Sequence, residues 1–334
     1  MLPETRERLF GWEHAFDHPV SVCITGVAAV GLLAGLIAIP LMGMSGRTDS
    51  KLRREVRDRI LSWFVLAPLM IAPVLLGAAW TIAGVAILSL LCHWEFSRAT
   101  GLFRQHWISL IVIAGILAIT FAVADNWYGF FVALPPLTVG IIAAAGILPD
   151  QPSGYIQRVA LGIFAFLLFG VCLGHLGFMA NDAGYRPIIL MLFLTVELND
   201  VFAFLAGKCF GRRKLAPNTS PGKTLEGAIG VLVGTTALVV ALGHFVFART
   251  AMDDMALLIG LGLLVSVVGQ MGDLTLSSIK RDLGIKDMGV TIPGHGGLLD
   301  RFDSLIFVAP AFFHYVHYFL GIAMSEPARI ISGG

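Results

Sequence analysis

VSVCITGVAAVGLLAGLIAIPLMGM, residues Val20 to Met44, runs for 25 residues without an acidic or basic side chain. A helix needs about 20 apolar residues to cross the hydrocarbon of a bilayer. The run is too long for the apolar core of a secretory signal, and no small-residue cleavage site closes it, so it reads as a first membrane span.

Working outward, nine more apolar segments can be read, at about 61–79, 80–97, 107–124, 127–148, 156–180, 187–206, 225–248, 255–279 and 304–323. Segments two and three are nearly continuous through Gly77–Trp80, so nine and ten spans are both compatible with the pattern. The expected fold is an all-α polytopic integral membrane protein of 9–10 transmembrane helices. Composition agrees: 57% of residues are apolar and 13% charged, against about 25% charged in soluble domains, and mean hydropathy is +0.83. A single soluble core of 334 residues would leave too much apolar surface in water.

The loops alternate in charge. Residues 45–60, 98–106, 149–158, 207–224 and 280–304 hold 18 Lys and Arg; the N-terminal lead, 125–126, 181–186, 249–254 and the tail hold 5. Positive loops stay in the cytoplasm, so the first set is expected there and, with ten spans, both termini face outward. The organisation reads as an interfacial lead over 1–19, an N-terminal bundle over 20–180, a C-terminal catalytic region over 181–324 with loops 207–224 and 280–304, and a tail over 325–334. Leu9, Phe10, Trp12 and Phe16 give the lead an amphipathic character. Residues 45–60 read as a basic cytoplasmic helix, either a topology signal or an attraction to anionic headgroups. Cys23, Cys92, Cys172 and Cys209 form no CxxC pair and read as small buried hydrophobes.

Polar residues gather in the C-terminal half. Asp200 follows Glu197 by three residues on an apolar helix, placing both carboxylates on one face, where they need water, a cation or a metal. Downstream, Ser220, Lys223 and Thr224 in SPGKT resemble the end of a phosphate loop, though the full glycine pattern and the preceding strand are missing. A lysine with two hydroxyls and loop amides still suits a phosphate, and Arg212, Arg213 and Lys214 add positive charge. Then comes SSIKRDLGIKDMGVTIPGHGGLLDRFD, Ser277–Asp303. Asp273, Ser277 and Lys280 share a helix face, and the glycines around His295 allow close backbone approach to a ligand. His295 reads as a proton donor or phosphate contact, or as a brace for the glycine turn. Carboxylates from separate helices with hydroxyls and no soft ligands suit a hard cation such as Mg2+. Metal-assisted phosphoryl or nucleotidyl transfer is the chemistry implied. Glu95, with His93, sits in an apolar span as a partner for the basic loops. His175, His244, His314 and His317 read as helix-packing groups.

The pattern Ser277-x-Ile279-Lys280-Arg281, Lys286-Asp287-x-Gly289 and Pro293-x-His295-Gly296-Gly297-x-x-Asp300-Arg301-x-Asp303 resembles the signature of the phosphatidate cytidylyltransferases, or CDP-diacylglycerol synthases. Asp200, Phe210-Gly211 and Ser220-Pro221-x-Lys223-Thr224-x-Glu226-Gly227 extend the resemblance, which covers about 200–303 specifically. Members more usually carry Lys where Gly222 stands. The resemblance implies that phosphatidate and CTP give CDP-diacylglycerol and pyrophosphate for phospholipid synthesis, with Mg2+ and room for a second cation. It implies Asp273 and Asp300 as metal ligands with Asp303 in support, and Lys223, Lys280, Arg281 and Arg301 as phosphate contacts. Ser220 and Thr224 assist, and Ser277, Lys286, Asp287, Gly296, Gly297 and Asp200 complete the substrate site.

The expected partners are CTP, phosphatidic acid and membrane lipids, without nucleic acid; a homodimer is allowed. A bacterial inner membrane with a cytoplasmic active site is the expected setting. A related CTP-dependent lipid kinase or nucleotidyltransferase and a catalytically altered paralogue are the alternatives. A transporter would place polar residues near midplane in two related halves, which this pattern does not do.

Overall fold

The computed structural model describes residues 3–44, 50–182, 184–292, 296–321 and 329–333. Helices dominate them: α1 (Pro3–Phe10), α2 (Pro19–Met44), α3 (Ser50–Leu76), α4 (Ala78–Thr100), α5 (His106–Ala124) and α6 (Tyr128–Ala145). After them come α7 (Tyr155–Ala165), a π-helical turn (Phe166–Cys172), α8 (Leu173–Met179), α9 (Tyr185–Phe210), α10 (Leu225–Val246), α11 (Met255–Asp282) and α12 (Leu299–Leu320). Every apolar run of the sequence is helical, as hydrocarbon requires, because a helix satisfies its own amides and carbonyls. Among the described residues, eight helices are long and apolar enough to cross a membrane. The other two runs are α3, whose apolar part is Ile60–Leu76, and α12, whose first turns carry Asp300, Arg301 and Asp303.

Gly77 divides the second and third runs. Its φ of +140° suits glycine alone, and a Cβ there would meet the Leu9 carbonyl oxygen at 2.3 Å. The lead is therefore docked on the α3–α4 corner, with Leu9 buried and Trp12 exposed. The basic segment is helical from Ser50 and continuous with α3; residues 45–49 lie outside the described residues.

Among the described residues, loops of the two sets gather at separate ends. At one end the lead meets the start of α9: Arg8 Nη1 donates to the Asn181 carbonyl (2.7 Å) and Arg186 Nη2 to that of Gly11 (2.6 Å). The tail joins them there, with the Ile331 and Ser332 amides on Asp125 Oδ1 at 2.6 and 2.9 Å. At the other end the 207–224 and 280–299 segments come together. That grouping is the one the charge alternation predicts.

Packing joins α9, α10, α11 and α12 side by side, and α12 and α9 bind this group to α4 and α8. Phe166, Phe169, Phe178, Phe312 and Phe313 fill the centre. His175 Nε2 lies 3.1 Å from His314 Nε2, a packing contact between α8 and α12 as expected. His244 departs from expectation: it is exposed and paired with Asp253 at 2.7 Å, because it sits at the end of α10 beside the 249–254 loop. Cys23 and Cys209 are exposed rather than buried.

Candidate active site

The segment between α9 and α10 is a hairpin, not a loop. Strands β1 (Lys214–Ala216) and β2 (Ser220–Thr224) pair antiparallel, with Lys214 opposite Thr224 and Ala216 opposite Ser220. SPGKT is thus extended chain, and its likeness to a phosphate loop stops at composition. Local bonds explain the shape. Lys214 Nζ donates to the Pro221 carbonyl at 2.7 Å. Glu226 Oε2 accepts the Arg212 and Arg213 amides at 3.0 and 3.2 Å. Thr224 caps α10 by accepting the Gly227 amide at 3.1 Å.

The hairpin leans over a cavity of about 500 Å3 between α9, α10 and α11. Asp200, Lys208, Lys214, Lys223, Thr224 and Asp273 are among the residues that line it. Lys223 and Asp273 form an ion pair across it, and Ser277 Oγ donates to Asp273 Oδ1 at 3.3 Å. Burial pushes the Lys223 ammonium pKa down; Asp200 and Asp303 pull it back up, and Lys280 adds to the fall. The cavity therefore brings a cation and two carboxylates from three separate elements to one place, with Asp303 in electrostatic reach.

Glu197 and Asp200 do not share one environment. Asp200 lines the polar cavity and Glu197 an apolar one, since three residues turn a helix about 300° and leave the two side chains about 60° apart. Glu197 remains in electrostatic reach of Asp200, and of Arg301.

Asp300 stands apart from the cavity wall. Its side chain is 3% exposed and pairs with Lys280 at 2.8 Å. The Met288 and Gly297 amides donate to its Oδ2 at 2.8 and 2.9 Å. Both oxygens are thus engaged, and Lys280 is engaged with them. Arg281 likewise holds carbonyls, of Thr219 (3.2 Å) and Ile285 (3.2 Å), tying the hairpin turn to α11. Ser220 is half-buried in β2, while Lys286 and Asp287 are exposed. Gly296, at φ +83°, packs on Asp287, whose Cβ a side chain there would meet at 3.1 Å. Asp303 Oδ1 accepts the Ser304 amide at 2.6 Å. His295 lies outside the described residues.

Glu95 was expected to pair with basic loops; it holds backbone instead. Buried on α4 at 3% exposure, it accepts the Leu298 and Leu299 amides at 2.9 and 2.7 Å and the Thr291 hydroxyl. A Cβ on Gly297 would meet Glu95 Oε2 at 2.6 Å and the Gly289 nitrogen at 2.8 Å, so the signature glycines exist to let this carboxylate and Asp300 close on the loop. Asn199, beside Asp200 and not singled out from the sequence, borders the cavity, and its Oδ1 accepts the Thr235 hydroxyl at 2.5 Å. Its signal was a buried amide on an apolar helix.

A hard cation fits the donors present. No group of three His, Cys, Asp or Glu converges among the described residues. Mg2+ does not need one, because it is held by one or two carboxylates together with waters and substrate phosphates. Asp200 and Asp273 line a cavity large enough for phosphates, and all their donor atoms are oxygens.

Residues 57–319 match the cytidylyltransferase family. The chain belongs to that family. This cytidylyltransferase is 34% identical over 271 residues to the uncharacterized protein YnbB of Escherichia coli, covering 79% of the chain and 88% of the relative. It is 34% identical over 253 residues to a phosphatidate cytidylyltransferase of Staphylococcus haemolyticus, covering 74% and 94%. A Staphylococcus aureus protein of that same name matches at 45% over 150 residues, 44% of this chain and 56% of its own. With its apolar helices, the cytidylyltransferase is an integral membrane enzyme, a nucleotidyltransferase of phospholipid synthesis.

Proposed function

We propose that the protein transfers CMP from CTP to phosphatidate, releasing pyrophosphate and CDP-diacylglycerol. The observation that carries this reading is the Lys223–Asp273 pair facing Asp200 in one cavity at a helix-bundle end, within a chain of the cytidylyltransferase family. Relatives named phosphatidate cytidylyltransferase support the lipid substrate, and no observation favours the kinase alternative.

The phosphatidate phosphate is already an anionic nucleophile. Its oxygen attacks the α-phosphorus of CTP, that P–O bond forms, and the bond to the pyrophosphate oxygen breaks. Little proton transfer is needed, so catalysis rests on alignment and charge neutralisation. Lys223 serves the triphosphate, with Lys208 and Lys214 on the same wall. Asp273 and Asp200 would hold a Mg2+ ion, which would supply charge neutralisation at the reacting phosphates, and Asp303 stands behind them where a second cation would sit. Asp300 and Lys280 act one step back, fixing the loop that carries Gly296 and Gly297 against the start of α12, where Arg301 stands. The lysine-rich end faces the cytoplasm of a bacterial inner membrane, where CTP is available.

The test is incubation of purified protein with radiolabelled CTP, phosphatidate and Mg2+, beside a known synthase. Labelled CDP-lipid is the expected product; its absence where the known enzyme works would overturn the reading.

A further inference from the structure

A second cavity, of about 370 Å3, lies between α2, α3 and α9. Val27 and Leu32 of α2, Trp63 and Met70 of α3, and Leu194 and Leu198 of α9 are among its walls, and Glu197 is the one ionisable residue among the described lining residues. We propose that this groove takes one acyl chain of the lipid substrate, an inference that rests on the function proposed above.

Three observations carry it. First, the groove adjoins the polar cavity through α9. Asn199, Asp200 and Ala203 line the polar cavity, while Leu194, Leu198 and Val201 line the groove. At 3.6 residues per turn the full α9 linings, which also include Phe204, Gly207 and Lys208 on the polar side and Leu190, Phe193 and Glu197 on the groove side, centre about 100° apart, and they overlap along the axis at residues 199–201. A lipid whose phosphate lies at Asp200 and Lys223 therefore has the groove directly alongside. Second, the depth fits. The α9 lining extends from Leu190 to Val201, roughly 16 Å at 1.5 Å per residue. That is about half of the ~30 Å hydrocarbon core, the reach of one chain in one leaflet. Third, among the described lining residues the one carboxylate is Glu197, at the end nearer the polar cavity, and the rest of the wall is apolar, which suits an acyl chain and offers a polar ligand nothing to bind. Because α2 precedes the family match at residue 57, one wall of the groove belongs to this chain's own N-terminal segment. Chain selection is then a property added outside the shared catalytic region.

Gly31 lines the groove, and a Cβ there meets nothing within 4 Å. Gly31→Phe should fill the groove without touching Asp200, Lys223 or Asp273. Val30→Phe, at a lipid-facing position outside it, is the control. In purified full-length protein, Gly31→Phe should raise KM for dioleoyl phosphatidate by about tenfold or more, and leave KM for dihexanoyl phosphatidate and for CTP unchanged. Equal loss on both lipids, or no loss, overturns the proposal. A second measurement is independent of turnover: photolabelling with phosphatidate bearing a diazirine on its acyl chain. Label on α2 and α9, competed by phosphatidate and reduced in Gly31→Phe, supports the groove. Label that phosphatidylcholine competes equally marks bulk lipid and overturns it. A chain that labels in this way but makes no CDP-lipid would overturn the reaction and keep the groove.

Discussion

Lys280 and Asp300 form a buried ion pair at 2.8 Å, joining the end of α11 to the start of α12. Removing one partner from such a pair leaves an uncompensated charge and costs about 3–5 kcal/mol. Asp300→Leu or Lys280→Met alone should lower the thermal midpoint in detergent sharply. The double variant should recover much of that stability, because an apolar pair of similar volume replaces a buried ionic one at little cost, while turnover stays low. A double variant as unstable as the singles would show that the two amide bonds to Asp300, not the ion pair, hold the loop.

Asp273 lines the cavity and bears on chemistry more than on folding. Asp273→Asn should lower kcat by about a hundredfold or more with an unchanged melting profile, and EDTA should abolish wild-type turnover until Mg2+ is restored. Wild-type rates in Asp273→Asn would remove it from the reaction.

Lys223 faces the same space from the hairpin. Lys223→Ala should chiefly raise KM for CTP. An unchanged KM with a lower melting temperature would make Lys223 a structural partner of Asp273 alone.

Gly222 offers a gain. A Cβ at this position meets nothing within 4 Å, and the residue lines the cavity. Gly222→Lys should fold normally and lower KM for CTP about two- to fivefold, the worth of one partly exposed charge contact. A higher KM would show that the glycine keeps the cavity mouth open.

Glu95 accepts two backbone amides that Glu95→Ala would strand. Each buried amide left unsatisfied costs about 1–3 kcal/mol, so the variant should melt lower and expose the 285–298 segment to protease. Glu95→Gln retains an acceptor and should be milder. Equal protease resistance in all three proteins would remove Glu95 as the anchor.

The helical framework was legible because hydrocarbon imposes a simple rule: apolar runs of sufficient length become helices, and charge marks their ends. The break at Gly77 was not, since it depends on Leu9 approaching from a distant segment. The hairpin was hidden because three- and five-residue strands follow from cross-strand contacts such as Lys214 to Pro221, not from periodicity. Asp200, Lys223 and Asp273 were readable as polar residues on or beside apolar helices, and they do meet. That Glu197 turns toward a different cavity depends on where α2 and α3 pack. The commitment of Asp300 to Lys280 and two amides depends on loop geometry that residue type cannot convey.

Glu95 and the Leu298 amide it accepts are separated by 203 residues of chain. During synthesis α4 therefore enters the bilayer long before its partner exists, and its carboxylate waits through the emergence of six further spans. Assembly of the catalytic end is accordingly a late, single event in biogenesis. A nascent chain interrupted before Thr291 carries an unanswered acid in α4, a feature by which membrane quality control can tell an unfinished molecule from a finished one.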